Sequence, residues 1–247
     1  RLVMSMRIKA FLIHGLVSIS VALLVIGLVF FIWYPSPLAK AVGVTHIFLM
    51  MLVIDVILGP LLTLLVYKQG KKTLLFDLTV IVLLQISALG YGLWTISQGR
   101  PAWLVFNVDR FDNVRVNEID NRNIAKAQQQ YQNPSWFYPQ WVAATAPKNI
   151  DENNQVTFEA VFSGVDIAQR PNLYSPLINQ RKQLQKKAVN IKELYKYNDK
   201  QLVQEILGQY PQADAFVPLK ANAVDMTVLI DKEKGEVVKI VDLRPWK

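Results

Sequence analysis

The stretch MLVIDVILGPLLTLLVY, Met51 to Tyr67, decides how the chain is read. Its apolar run approaches the ~20 residues that cross a hydrocarbon core, yet it carries a carboxylate, Asp55, and such a group costs about 2.5 to 3.5 kcal/mol at the centre of a membrane helix on insertion scales. At ~100° per residue, Asp55, Gly59 and Thr63 fall within about 80° on one helical face. A stripe of small and polar residues on an apolar helix is a packing seam. Within it, Pro60 frees the carbonyl of Val56 and predicts a kink.

Working outward, hydrophobic blocks run roughly from Ile8 to Trp33, Ile47 to Tyr67 and Leu74 to Ile96. Backbone groups in lipid must bond within their own segment, so these blocks predict three transmembrane helices over residues 1–99. The first is too long, and lacks the small-residue cleavage site, to be a removed signal peptide, so it reads as a retained anchor; the residues before Met6 read as an alternative start. Arg1, Arg7 and Lys9 lie at or before its beginning, and Lys68, Lys71 and Lys72 join the second and third blocks, whereas Tyr34 to Thr45 carries only Lys40. The positive-inside rule then places the N-terminus in the cytoplasm and everything after Arg100 outside, with Trp33, Tyr34, Tyr91, Trp94 and Trp103 expected in the outer headgroup layer.

The third block repeats the seam, with Asp77, Gln85, Ala88, Gly92 and Thr95 inside an arc of about 80°. His14, Ser18 and Ala22 share a face of the first block, and a packed or interfacial His14 is the preferred reading. Asp55 pairs inside the protein with Gln85 or Thr95, or meets a polar group on another transmembrane helix. A catalytic Asp55–Asp77 dyad needs carboxylates ~3 Å apart, but their offsets from the basic loop put them about 12 Å apart in depth.

Residues 100–247 read as an exported, periplasmic α+β domain. Pro101 stops the third helix, and two short strands with a turn at Asp112-Asn113 follow. Helical spacing is seen in Asn121–Gln130, Asp151–Phe162 and Asn198–Tyr210, the last capped by Asn198 or Asp199; strands close the chain at AFVPLKA, DMTVLID and EVVKIVDLRPW. The segment NPSWFYPQWVAATAP, Asn133 to Pro147, reads as an ordered loop whose rings cover the core, in preference to an exposed recognition surface.

The net charge of +8 includes the topology signals near the membrane; residues 100–247 hold 20 Lys and Arg against 17 Asp and Glu, a balance that does not suggest a nucleic-acid surface. With no Cys in the chain and no His beyond residue 46, disulfides, His/Cys metal sites and the usual Ser-His or Cys-His nucleophile pairs are missing from that domain. No phosphate-cradling glycine loop is present. A non-enzymatic binding protein without a cofactor is the reading that remains.

The run IDVILGPLLTLLVYKQGKKTLLFDLTVIVLLQISALGYG, followed by RPAWLVFNVDRFDNV and later by AQRPNLYSPL, resembles the TfpX/TfpZ family of type IV pilin accessory proteins. The resemblance rests on Asp55, Gly59, Pro60, Lys71, Lys72, Asp77, Gln85, Arg100, Pro101, Arg170, Pro171 and Tyr174. It implies an inner-membrane protein that helps a type IV major pilin accumulate or assemble. Pilins carry a hydrophobic N-terminal helix, and a groove around Asp55, Gly59, Thr63 and Gln85 is expected to hold it while the exported domain contacts the globular head. Arg170, Tyr174 and the loop Trp136 to Trp141 are the candidates for that second contact, although a fold-stabilising role for Arg170 and Tyr174 is preferred. The alternative is a membrane-anchored sensor that binds a small ligand outside and signals through a separate partner.

Overall fold

The computed structural model describes residues 5–246; Arg1, one of the basic topology signals, lies outside them. Helix α1 (Met6–Gly27) starts at Ser5, whose hydroxyl accepts from the Ile8 amide, and widens into a π-helical turn over Leu28–Trp33. A short helix, α2 (Leu38–Val42), ends at Gly43, whose φ of 81° is the left-handed geometry that favours glycine. Helices α3 (Val44–Val66) and α4 (Leu74–Gly99) follow. Met6–Trp33, Val44–Val66 and Leu74–Gly99 are long and apolar enough to cross a membrane. Pro60 does not end α3, because the missing amide costs one rung that lipid-embedded helices tolerate.

The chain divides into two compact units, residues 1–32 with 44–98, and residues 33–43 with 99–247. Two crossings, by α3 and α4, would return Gly99 onward to the side of Trp33–Gly43, in keeping with their membership of one unit. In the first unit α1 and α3 pack through Ser18, Ala22 and Val25 against a face containing Phe48, Leu52 and Gly59. Leu, Ile and Val side chains cover the exposed faces of the three spans.

The second unit is built on one mixed sheet. Its strands are β1 (Pro101–Asn107), β2 (Arg110–Arg115), β3 (Gln140–Ala144), β4 (Tyr174–Pro176), β5 (Val189–Asn190), β6 (Ala215–Lys220), β7 (Met226–Asp231) and β8 (Glu236–Val241). They run in the order β4-β3-β1-β2-β6-β7-β8, with β5 against β6; β1–β3 and β2–β6 are parallel. One face, with Leu104, Phe106, Phe111, Val217 and Val228, is covered by Leu38 and Ala41 of α2 and by Leu184 of helix α6 (Arg181–Lys187). On the other face, Val156 of helix α5 (Ile150–Ser163) joins Trp103, Val105 and Tyr174, while Val203 of helix α7 (Lys200–Gly208) joins Phe216 and Leu229. Every residue of β1 is buried, as expected of a strand covered on both sides.

Several expectations shift. The hairpin turns around Val108, where the Asp109 amide reaches the Asn107 carbonyl at 2.7 Å; Asp112 and Asn113 sit within β2 instead. Asp112 tolerates the strand because Asn107 Nδ2 and Arg110 Nε donate to its carboxylate at 2.9 and 3.0 Å. Residues 121–130 form short 3₁₀ turns (Asn121–Lys126 and Gln129–Tyr131) rather than an α-helix. Trp103 is 1% exposed and therefore no interfacial ring: it packs edge-on with Tyr131 and Tyr174 at centroid distances of 5.9 and 5.5 Å. Trp33 and Tyr34 are buried too, which leaves Tyr91 and Trp94 as the exposed members of that set. In the segment expected to cover the core, Trp136, Phe137 and Tyr138 are instead 61, 65 and 56% exposed; of its four aromatic rings only that of Trp141 turns inward, 5.0 Å from Phe111.

Candidate functional site

The seam on α3 meets α4 through one side chain, Gln85. A Cβ placed on Gly59 would lie 2.2 Å from Gln85 Oε1, so the absence of a side chain there makes room for the amide. The pattern recurs higher on the pair, where a Cβ on Gly92 of α4 would lie 2.0 Å from Met51 Sδ of α3. Each helix thus offers a glycine to a long side chain of the other.

Gln85 organises the polar groups around it. Its Nε2 donates to Ser18 Oγ and to the main-chain carbonyl of Asp55, both at 3.0 Å. Its Oε1 lies 2.8 Å from His14 Nε2, and His14 Nδ1 lies 2.6 Å from Thr63 Oγ1. With the amide hydrogens committed to Ser18 and Asp55, Gln85 Oε1 accepts, so His14 carries its proton on Nε2. Its other ring nitrogen, Nδ1, faces the Thr63 hydroxyl. His14 is the hub between α1, α3 and α4, a role that its helical spacing alone gave no means of seeing.

Two apolar grooves flank this network. The first, about 450 Å³, lies between α3 and α4 with Met51, Leu58 and Ala88 among its walls. The second, about 510 Å³, is bounded by all three helices and includes Val17, Leu78 and Val82. Asp55 and Gln85 line both. Each groove thus has mostly apolar walls, with the Asp55 carboxylate and the Gln85 amide among its few polar lining groups.

The other expected positions separate from this site. Asp77 stands in the first turn of α4, paired with Lys71 Nζ at 2.7 Å and bonded by the Thr73 hydroxyl at 3.1 Å; a carboxylate is favoured at a helix N-terminus. Thr95 is exposed and bonds back to the Tyr91 carbonyl, so it does not partner Asp55. Arg170 is 5% exposed, with Nη2 2.6 Å from Glu159 and 3.2 Å from the Val165 carbonyl and Nη1 3.6 Å from Asp120. Arg122 Nη2 shares Glu159 at 2.5 Å, and these guanidinium groups, Arg170 first, hold the Glu159 carboxyl down to about 2. The Tyr174 hydroxyl donates to the Ala168 carbonyl, and burial holds this phenol well above its usual pKa. Both residues are used inside the domain. A polar cleft of about 200 Å³ contains Asp112, Asn113 and Lys220, and there burial pushes the Asp112 carboxyl up against the pull of Arg110. Among the described residues, no group of three His, Cys, Asp or Glu side chains is placed to hold a metal.

Residues 3–43 match the family model described as fimbrial assembly protein FimB. The fimbrial assembly protein of serogroup I from Dichelobacter nodosus is 32% identical over 230 residues, covering 89% of each chain, and the serogroup E1 protein of that organism matches with the same identity and coverage. The protein of serogroups C1 and C2 is 41% identical over 99 residues, 39% of this chain and 76% of its own. No solved structure matches. Likeness to the serogroup I and E1 proteins along nearly their whole length places this chain in the fimbrial assembly protein family.

Proposed function

We propose that this chain is a non-enzymatic accessory protein of type IV pilus assembly, of the TfpX/TfpZ kind, that holds a pilin subunit in the membrane before its incorporation. The observation that carries the reading is the pair of apolar grooves sharing Asp55 and Gln85. The names of the relatives support the pilus role, and the sequence resemblance supports pilin as the occupant. In this reading the protein lies in the bacterial inner membrane with the N-terminus cytoplasmic and the second unit periplasmic. The pilin transmembrane helix lies along α4, its apolar side chains fill a groove, and Asp55 receives a cationic or donor group. Gly59 and Thr63 keep α1, α3 and α4 close enough for Gln85 to span them. Asp77 anchors the start of α4, and Arg170, Tyr174 and Trp141 maintain the domain rather than touch pilin.

Photocrosslinking in cells tests this. A probe replacing the exposed Leu84, which lines the first groove, should yield a pilin adduct that weakens strongly in Asp55→Leu at equal protein level. Undiminished adducts would make Asp55 structural. No pilin adduct from Leu84, nor from a second probe at Val82 in the other groove, would sink the proposal.

A further inference from the structure

The Ser135–Tyr138 loop is tied to the places where two spans end. Trp33, the last residue of the first span, donates its indole Nε1 to the Trp136 carbonyl at 2.9 Å. Arg100, the residue after the third span, sets its guanidinium 4.5 Å from the centre of the Trp136 ring and donates Nη2 to the Ser135 carbonyl at 3.2 Å. The Phe137 amide donates to Ser135 Oγ at 3.1 Å, and Pro134 and Pro139 bracket the loop. Trp33, Arg100 and the loop all belong to the second unit. Despite these restraints the rings of Trp136, Phe137 and Tyr138 remain more than half exposed. A loop with its backbone pinned and its aromatic side chains outside the protein core needs an apolar surface of another kind.

Span ends lie at the boundary of the hydrocarbon, and the headgroup layer adds about 5 to 8 Å on each side. A residue hydrogen-bonded to one span end and stacked on the neighbour of another therefore stands in that layer. Trp and Tyr rings prefer it, since the apolar body meets the acyl boundary while the polar edge stays hydrated. We propose that Trp136, Phe137 and Tyr138 form an interfacial anchor that inserts into the headgroup–acyl boundary and holds the second unit against the bilayer. The occupant is lipid. Trp103, which the sequence assigns to that belt, is buried in the sheet, and this loop takes the place.

The chain contains no Cys, so one introduced thiol is a clean reporter. The full chain carrying Phe137→Cys, and separately Tyr138→Cys, is spin-labelled in vesicles of phosphatidylcholine and phosphatidylglycerol with no other protein present. Collision with oxygen, which concentrates in lipid, is compared with collision with a water-soluble nickel chelate. Labels at 137 and 138 should favour oxygen, as should a control label at the exposed Leu65 of α3, whereas Lys200→Cys on α7 should favour nickel. Nickel preference at both loop positions would overturn the proposal by placing the rings in water. Shielding from both reagents would overturn it by placing them in a protein contact.

Discussion

At the scale of single residues the molecule rests on side chains that satisfy several partners at once. Gln85 makes three interhelical contacts, and such bonds average about 0.6 kcal/mol each in membranes. Gln85→Leu should therefore lower stability by roughly 2 kcal/mol in a detergent or bicelle unfolding titration; an unchanged midpoint would show that the network is not what joins α4 to its neighbours. Glu159 is a second such residue. Its carboxyl is held down to about 2 from the usual 4.5, so the stabilisation it gives is complete above pH 4.5 and is lost as pH falls toward 2. Glu159→Gln should flatten that part of the acid-unfolding profile, and an acid limb identical to the parent would contradict the assignment. Asp55, Gly59 and Thr63 were legible from their shared face, and Gln85 from its place on the neighbouring seam. His14 was legible as a packed side chain, but not as the hub, because that role comes from being opposite two helices at once. Arg170 and Tyr174 stood out through family resemblance, which marks positions without saying whether a side chain faces in or out.

At the scale of elements, local chemistry sets the boundaries. Asp199 accepts from the amides of Gln201 and Leu202 and starts α7, so Asp199→Ala should cost about 1 kcal/mol, read as a lowered melting temperature. Val108 at the hairpin tip has a φ of 61°, where a β-branched residue is disfavoured by about 1 to 2 kcal/mol. Val108→Asn should raise the melting temperature by a few degrees; a fall would mean that Val108 contributes packing that outweighs the strain. This turn was hard to see in the sequence because Asp112-Asn113 is the stronger turn signal. That signal is overruled by Asn107 and Arg110, whose donors make a buried carboxylate acceptable within a strand. The closing strands were easier to read, since β7 and β8 are short apolar runs with a Lys-Glu-Lys-Gly turn between them.

At the scale of the whole molecule, hydropathy locates the spans but conceals how the second unit is assembled. Nothing in the eleven residues from Trp33 to Gly43 announces that Leu38 and Ala41 will close the hydrophobic face of a sheet formed much later in the chain. The Ala41 carbonyl accepts from the amides of Ala223 and Val224 at 2.9 and 3.1 Å, and Lys40 pairs with Asp242 at 2.5 Å. Residues 100–247 made alone should therefore expose an apolar gap and bind a hydrophobic dye, while fusing residues 33–43 to them should suppress that binding and sharpen unfolding. Equal dye binding with and without the segment would mean that α2 is dispensable.

The same feature orders events in time. Ala41 is synthesised roughly 180 residues before its partners at Ala223 and Val224, an interval of about 10 to 40 s at ordinary translation rates. Through that interval α2 waits outside the membrane with its apolar side uncovered, and only a chain whose third span has crossed delivers the sheet to the same compartment. A molecule in which either the second or the third span failed to cross would leave α2 and the sheet on opposite faces of the bilayer, each incomplete. Closure of this core therefore depends on the second and third spans both having crossed.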